Sequence, residues 1–127
     1  MYQLPESELD IMLIVWKAKK QKINVHYISE QLKFKKEITA GALHSYLNRL
    51  VEKGFLECYK EGKYRFFKPL IYETEYKQEE GKSIVDKLFG GSVSNFVNCL
   101  YKKNKLSTED LQELKEFVNL FSEEMSK

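Results

Sequence analysis

Apolar residues recur along the chain with two different periods. Between residues 6 and 20, Leu9, Met12, Leu13 and Trp16 follow the i, i+3, i+4, i+7 spacing of one helical stripe. Ser7 with Asp10 three residues on resembles a helix start, and the cation-rich KAKKQK suits a helix end. A second helix is expected over about 24–33, capped by Asn24, with Ile28 and Leu32 pointing one way and Tyr27 and Gln31 beside them. The segment KFKKEI reads as a loop. A third helix over about 39–53 starts at the cap residue Thr39 and buries Leu43, Tyr46, Leu47, Leu50 and Val51. Gly54 falls where a glycine commonly ends a helix.

The period then changes. FLECYK and KYRFFK are short, aromatic-rich runs on either side of Glu61-Gly62, a hairpin signal, and Pro69 stops the second run. Two strands alone are marginal in water, so the hairpin must pack on the helices. One face is expected to hold aromatics against the helices, leaving Lys60, Lys63 and Arg65 in the open. Beyond it the helical period returns over 72–89, is broken at Gly90-Gly91, and resumes over 92–103 with Val93, Phe96, Val97 and Leu100. Ser107 and Asp110 form a second capping pair, followed by Leu111, Leu114, Val118 and Phe121 in 3-4-3 spacing, a seam of about two heptads.

The expected fold class is mainly α with a two-stranded β-hairpin: a winged helix-turn-helix domain over 1–71, then a helical dimerisation domain over 72–127.

Charge sharpens this picture. Residues 1–70 hold thirteen Lys and Arg against eight Asp and Glu, whereas 71–127 hold eight against eleven. Only the first half is suited to a polyanion. A lysine-rich hairpin can be a merely soluble edge, and a polar helix face can be merely solvated. Together, in the order helix, helix, helix, hairpin, they describe a reader that lays its third helix in a major groove and its wing over phosphates. On that reading Gly41, Ala42, His44, Ser45 and Asn48 face base edges, and Thr39, Arg49, Lys60, Lys63 and Arg65 face phosphates. A different class of function, a winged-helix interaction module or antirepressor binding a protein partner, is favoured by the weakly basic third helix.

Other chemistry is poorly supported. No apolar run reaches the roughly 18 residues of a membrane span, and MYQLPESELD lacks a basic leader region, so a cytoplasmic location without membrane attachment is expected. Cys58 and Cys99 are not at metal-ligand spacing with His26 or His44 and read as reduced, small buried hydrophobes. His44 and Ser45 are adjacent, which on a helix turns them apart, and no third group orients them. No enzyme, metal or cofactor is expected.

Three stretches carry a resemblance. LPESELDIMLIVW, ALHSYLNRLVEKGFL and KEGKYRFFKPL resemble the penicillinase and methicillin-resistance repressor family (BlaI/MecI/CopY type), as does LSTEDLQELKEF near the end. The most specific part is L-x-R-L-x-x-K-G at 47–54 followed by K-x-G-[KR] at 60–63. The resemblance implies a homodimeric repressor, and a helix-turn-helix dimer is expected on a palindromic double-stranded operator. Phe96, Val97, Leu100, Leu111, Leu114, Val118 and Phe121 are too many apolar residues for a thin acidic helical domain to hide alone and are expected to form the twofold interface. The resemblance also implies inactivation by a sensor-linked protease in β-lactam-responsive members, at an Asn-Phe bond. The matching bond by alignment is Cys99-Leu100, and an Asn95-Phe96 pair lies one turn earlier. This chain departs from the family at Gly41-Ala42, where a Lys-Thr-type pair is usual, and lacks the Cys-x-Cys hook of copper-responsive members.

Overall fold

A computed structural model describes residues 3–125. The elements run α1 (Glu6–Ala18), β1 (Ile23–Asn24), α2 (Val25–Lys33), α3 (Ala40–Glu52), β2 (Leu56–Glu61), β3 (Tyr64–Pro69), α4 (Glu73–Phe89), α5 (Val93–Lys102) and α6 (Thr108–Met125). They form two compact units, one ending at Glu80 and the other beginning at Gly81.

The first unit is the winged helix. Its core gathers Ile11, Met12 and Val15 from α1, Ile28 and Leu32 from α2, Leu43, Leu47 and Leu50 from α3, and Phe55, Leu56 and Phe67 from the sheet. The expected start of α1 needs correction. Pro5, not Ser7, stands at the N-cap, and no side chain caps the helix. Its φ of −58° is preset for helix entry, and its carbonyl accepts the Leu9 N–H at 2.9 Å. Ser7 instead accepts from Lys36 Nζ at 2.9 Å. The buried stripe is also rotated. Ile11, Met12 and Val15 are buried while Leu9 and Leu13 are only partly so. The run at 11–16 is apolar all round, so spacing alone could not choose its face. Glu8 shares that buried face: its side chain is buried and accepts from Lys53 Nζ at 2.6 Å, an ion pair joining the start of α1 to the end of α3. The helix ends at Ala18 rather than 20, with Lys19 in a left-handed conformation at φ 53°.

Ties on α1 also hold the approach to α3. Lys36, in the loop before α3, lies 2.9 Å from Asp10 Oδ2. That hydrogen bond raises the Lys36 ammonium above its ordinary value of 10.5. Asn24 caps α2 by accepting the His26 N–H at 2.7 Å, and Thr39 caps α3 by accepting the Ala42 N–H at 3.1 Å, both as expected.

The sheet has one more strand than expected. Residues Ile23–Asn24 pair antiparallel with β3, giving the order β1-β3-β2. The hairpin turn lies one residue later than expected, at Gly62-Lys63. Glu61 still pairs with Tyr64, and Gly62 takes the left-handed φ of 62° that such a two-residue turn requires.

The first unit also includes the start of α4. Tyr76 is buried, its ring 5.6 Å from Trp16 and 5.7 Å from Phe55, and its hydroxyl accepts the Leu4 N–H at 3.0 Å. The Trp16 indole N–H donates to the Ile71 carbonyl at 2.9 Å.

The second unit differs in kind. Ser92 caps α5, and Ser107 and Asp110 form the expected reciprocal box at 3.0 Å in both directions. Among the described side chains from Gly81 onward, none is fully buried. Phe96, Val97 and Leu100 are half-buried. Along α6, Leu111, Leu114, Val118 and Phe121 are 40%, 36%, 56% and 43% exposed, and Phe117 and Leu120 add 58% and 61%. Cys99 is exposed on α5 and Cys58 half-buried on β2, which corrects the expectation that both are buried. No described helix is long and apolar enough to cross a membrane.

The buried carboxylate gives the first prediction. Lys53→Ala leaves the buried Glu8 carboxyl without its partner, so it should destabilise the chain by about 3 kcal/mol in chemical denaturation. The double change Glu8→Leu with Lys53→Met should recover most of that loss. Equal stability of Lys53→Ala and the unchanged chain would show that the pair does not hold α1 to α3.

Candidate nucleic-acid interface

The interface is built on the rotation of α3. Leu43, Leu47 and Leu50 recur on the core side. Helical spacing therefore turns Gly41, His44, Ser45 and Asn48 outward on one face, and all four are exposed. Ala42 is half-buried beside them. Arg49 is exposed, its guanidinium 5.8 Å from the Tyr46 ring centroid. Thr39 is exposed, and because its oxygen accepts in the cap, its hydroxyl proton is free to be donated outward.

The wing corrects a second expectation. In the register Cys58↔Phe67, Tyr59↔Phe66 and Lys60↔Arg65, opposite residues share a face and neighbours alternate. Lys60 and Arg65 therefore lie on the side of buried Phe67. The other face holds the stacked pair Tyr59–Phe66, with ring centroids 6.2 Å apart. Aromatics were expected only on the helix side; here β1 extends the β3 edge and brings Lys22 over the ring on the other face. Lys22, just before β1, sits 4.5 Å from the Phe66 ring centroid and pairs with Glu61.

The wing cations are thus not equivalent. Lys60 and Lys63 are exposed, Lys63 at the turn. Arg65 is half-buried rather than open. Its Nη1 lies 3.0 Å from His44 Nδ1, its Nη2 donates to Cys58 Sγ at 3.5 Å, and its guanidinium lies 5.4 Å from the Phe67 ring centroid. The wing and the outward face of α3 are joined through this side chain. His44 is engaged by Arg65, not by its neighbour Ser45.

An exposed polar face on the third helix, flanked by a cationic hairpin, defines a winged-helix DNA-binding domain. The penicillinase repressor family model matches residues 4–119. The chain belongs to that family of DNA-binding repressors, which is not one of enzymes. It is 25% identical over 118 residues to the methicillin resistance regulatory protein MecI of Staphylococcus aureus strain N315, covering 93% of this chain and 94% of that one. It is 27% identical over 112 residues to the penicillinase repressor of Bacillus licheniformis, covering 88% and 86%. Among solved structures it is similar to the DNA-binding domain of the repressor BlaI, with TM-score 0.51 and 30% identity over 58% of this chain and 88% of that one. It is also similar to the monomeric form of Bacillus licheniformis BlaI in complex with the blaP half-operator, with TM-score 0.50 and 29% identity over 59% and 89%.

Besides the core residues Leu47 and Leu50, two further residues of the motif L-x-R-L-x-x-K-G have roles in the fold. Lys53 pairs with Glu8, and Gly54 adopts φ 83° to leave α3. Gly41 has no such role. A methyl added there would meet no atom within 4 Å, and its φ is not left-handed. A glycine inside a helix costs about 0.5–1 kcal/mol relative to alanine, and nothing within the chain accounts for it. An approaching DNA backbone would. Gly41→Ala should therefore stabilise the free protein by about 0.5 kcal/mol and weaken operator binding. Denaturation and gel-shift titration read the two effects separately; unchanged binding would remove the argument for close approach.

Proposed function

We propose that this repressor acts in the cytoplasm as a homodimer, each copy laying α3 into one half of a palindromic operator. The reading rests on one observation: Gly41, His44, Ser45 and Asn48 form an exposed polar face on a helix whose opposite face is locked into the core. On this reading His44, Ser45 and Asn48 reach base edges, while Gly41 and Ala42 allow close approach or an apolar contact to a thymine methyl. Thr39, Arg49, Lys60 and Lys63 face phosphates. Arg65, committed to His44 and Cys58, serves the phosphates less directly. The names of the relatives, a methicillin resistance regulatory protein and a penicillinase repressor, support the proposal that the regulated genes serve β-lactam resistance.

Gel shifts against the DNA upstream of its own gene test the reading. Affinity should fall in the nanomolar range with a clear negative salt slope. His44→Ala and Asn48→Ala should each cost about 1–3 kcal/mol at one base pair. Lys63→Ala should weaken binding to all sequences alike and lower the salt slope by about one. If neither α3 change alters affinity, helix α3 is not the reader.

Dimerisation is supported by the apolar surface that α5 and α6 leave uncovered. Phe96, Val97, Leu100, Leu111, Leu114, Val118 and Phe121 form the proposed interface, with Phe117 and Leu120 beside them. A second half-site is then bound at high effective concentration, a gain lost when the chain is cut between reader and interface. The bonds proposed for a sensor-linked protease both lie within α5. Asn95 is exposed, and Phe96 packs 5.3 Å from Phe89. Cys99 is exposed and Leu100 half-buried. Either cut requires local unfolding of α5. Sedimentation should show a dimer for the intact chain and monomers after a cut in α5. Mass spectrometry of the protein from β-lactam-treated cells should locate the bond. Only full-length chain under induction would sink the cleavage proposal and leave the dimer standing.

A further inference from the structure

The contact between wing and reading helix has a chemical consequence. A guanidinium carries five N–H donors and no acceptor. Its nitrogen at 3.0 Å from His44 Nδ1 forms a hydrogen bond only if Nδ1 presents a lone pair. The ring proton then sits on Nε2, because fixing one imidazole nitrogen as acceptor leaves the other as donor. Arg65 cannot easily turn away. Cys58 Sγ accepts from its other terminal nitrogen at 3.5 Å, Phe67 lies beneath at 5.4 Å, and the side chain is half-buried between them.

We infer that Arg65 is a positioning residue that sets the tautomer of His44, so that the exposed imidazole offers a single N–H donor to the base edge it meets. The inference rests on the proposed reading of bases by α3 and deepens it. An N–H donor in the major groove pairs with guanine N7 or O6, adenine N7 or thymine O4. It does not pair with the amino group of cytosine, which is itself a donor. A histidine free to exchange tautomers accepts from cytosine as readily as it donates to a purine. The wing therefore contributes to sequence selection without touching a base, through the helix residue it holds. This separates Arg65 from Lys60 and Lys63, which make no such contact with α3 and carry only charge to the backbone.

Two measurements test this, the first without DNA. Nitrogen-15 NMR of the full-length chain, under conditions where the imidazole is neutral, should show His44 protonated at Nε2. Arg65→Met keeps the aliphatic stem and removes the donor, and it should give a mixture of tautomers. Arg65→Lys keeps a donor and should restore the single form. A mixed ring in the unchanged protein, or a ring unaltered by Arg65→Met, overturns the inference. The second measurement is binding to operator fragments varied one base pair at a time. At one position per half-site the unchanged protein should disfavour cytosine by about fivefold, the worth of a typical hydrogen bond. Arg65→Met and His44→Ala should both flatten that preference at the same position, while Arg65→Lys retains it. If Arg65→Met instead weakens every sequence equally, lowers the salt slope by about one and leaves selectivity intact, Arg65 is a phosphate contact and the inference fails. If His44→Ala alters no position, the base-reading role of His44 fails, and the NMR result alone then reports whether the two side chains are coupled.

Discussion

The rotation of α3 about its own axis governs everything the first unit presents to a partner. Successive helical residues turn by about 100°, so a slip of one position would replace His44 and Asn48 on the outer face with core leucines. Leu43, Leu47 and Leu50 oppose that slip by burial. Burying an aliphatic side chain of this size contributes about 1.5–3 kcal/mol, so exposing three of them is a penalty few surface contacts could offset. Two polar ties to α1 secure the axis as well. Lys53 reaches the buried Glu8 just past the C-terminal end of α3, and Lys36 reaches Asp10 and Ser7 from the loop before its N-terminal end. The leucines set the rotation, and the lysines fix where the helix begins and ends relative to α1.

The wing is oriented by a different device. A hairpin alone would be free to splay, and one inward aromatic would hold it poorly. Here β1 adds an antiparallel partner on one edge, and Lys22 spans the outer face from the Phe66 ring to Glu61. On the inner face Arg65 bridges Cys58 and His44. The cations of this region therefore divide by what they already hold. Lys22 and Arg65 are committed to the protein, and Lys60 and Lys63 are left for solvent or phosphate. Counting basic residues overstates the contacts open to a polyanion, because Lys22 is already paired with Glu61 and Arg65, though still charged, has donors engaged by His44 and Cys58.

The boundaries of α2 and α3 to within a residue, the caps Asn24, Thr39 and the Ser107–Asp110 pair, and the outward face of α3 were legible in the sequence because each depends on local spacing and local hydrogen bonding. What was not legible depends on residues far apart in the chain. The buried face of α1 includes Glu8, whose partner Lys53 lies 45 residues away, and no periodicity within an all-apolar run could reveal it. The two residues of β1 are too few to show a pattern and exist because β3 offers an edge. Arg65 looked like one more exposed wing cation, since His44 lies 21 residues away and only the register of the hairpin brings them together. Tyr76, in a stretch rich in Glu and Lys, gave no sign that α4 begins inside the winged-helix unit.

The two units contrast in what holds them. The first has a core of fully buried side chains and can keep its fold on that account. The second has none among its described residues: α5 packs through half-buried Phe96, Val97 and Leu100, and the apolar side chains of α6 remain exposed. A helical segment without a core gains its stability from whatever covers that surface. In the proposed dimer, folding of α6 and association of two copies are therefore one equilibrium, linked by mass action. A cut in α5 then acts twice. It separates reader from interface, and it breaks the helix whose half-buried Phe96, Val97 and Leu100 pack toward α6, leaving all three on the α6 side after a cut at Asn95-Phe96 and only Leu100 there after a cut at Cys99-Leu100. On the cleavage proposal the reader, stabilised by its own core and by the ties of α1 to α3, stays folded but is left alone. Its loss from the operator follows from lost valency, with no need for the DNA-binding surface itself to change.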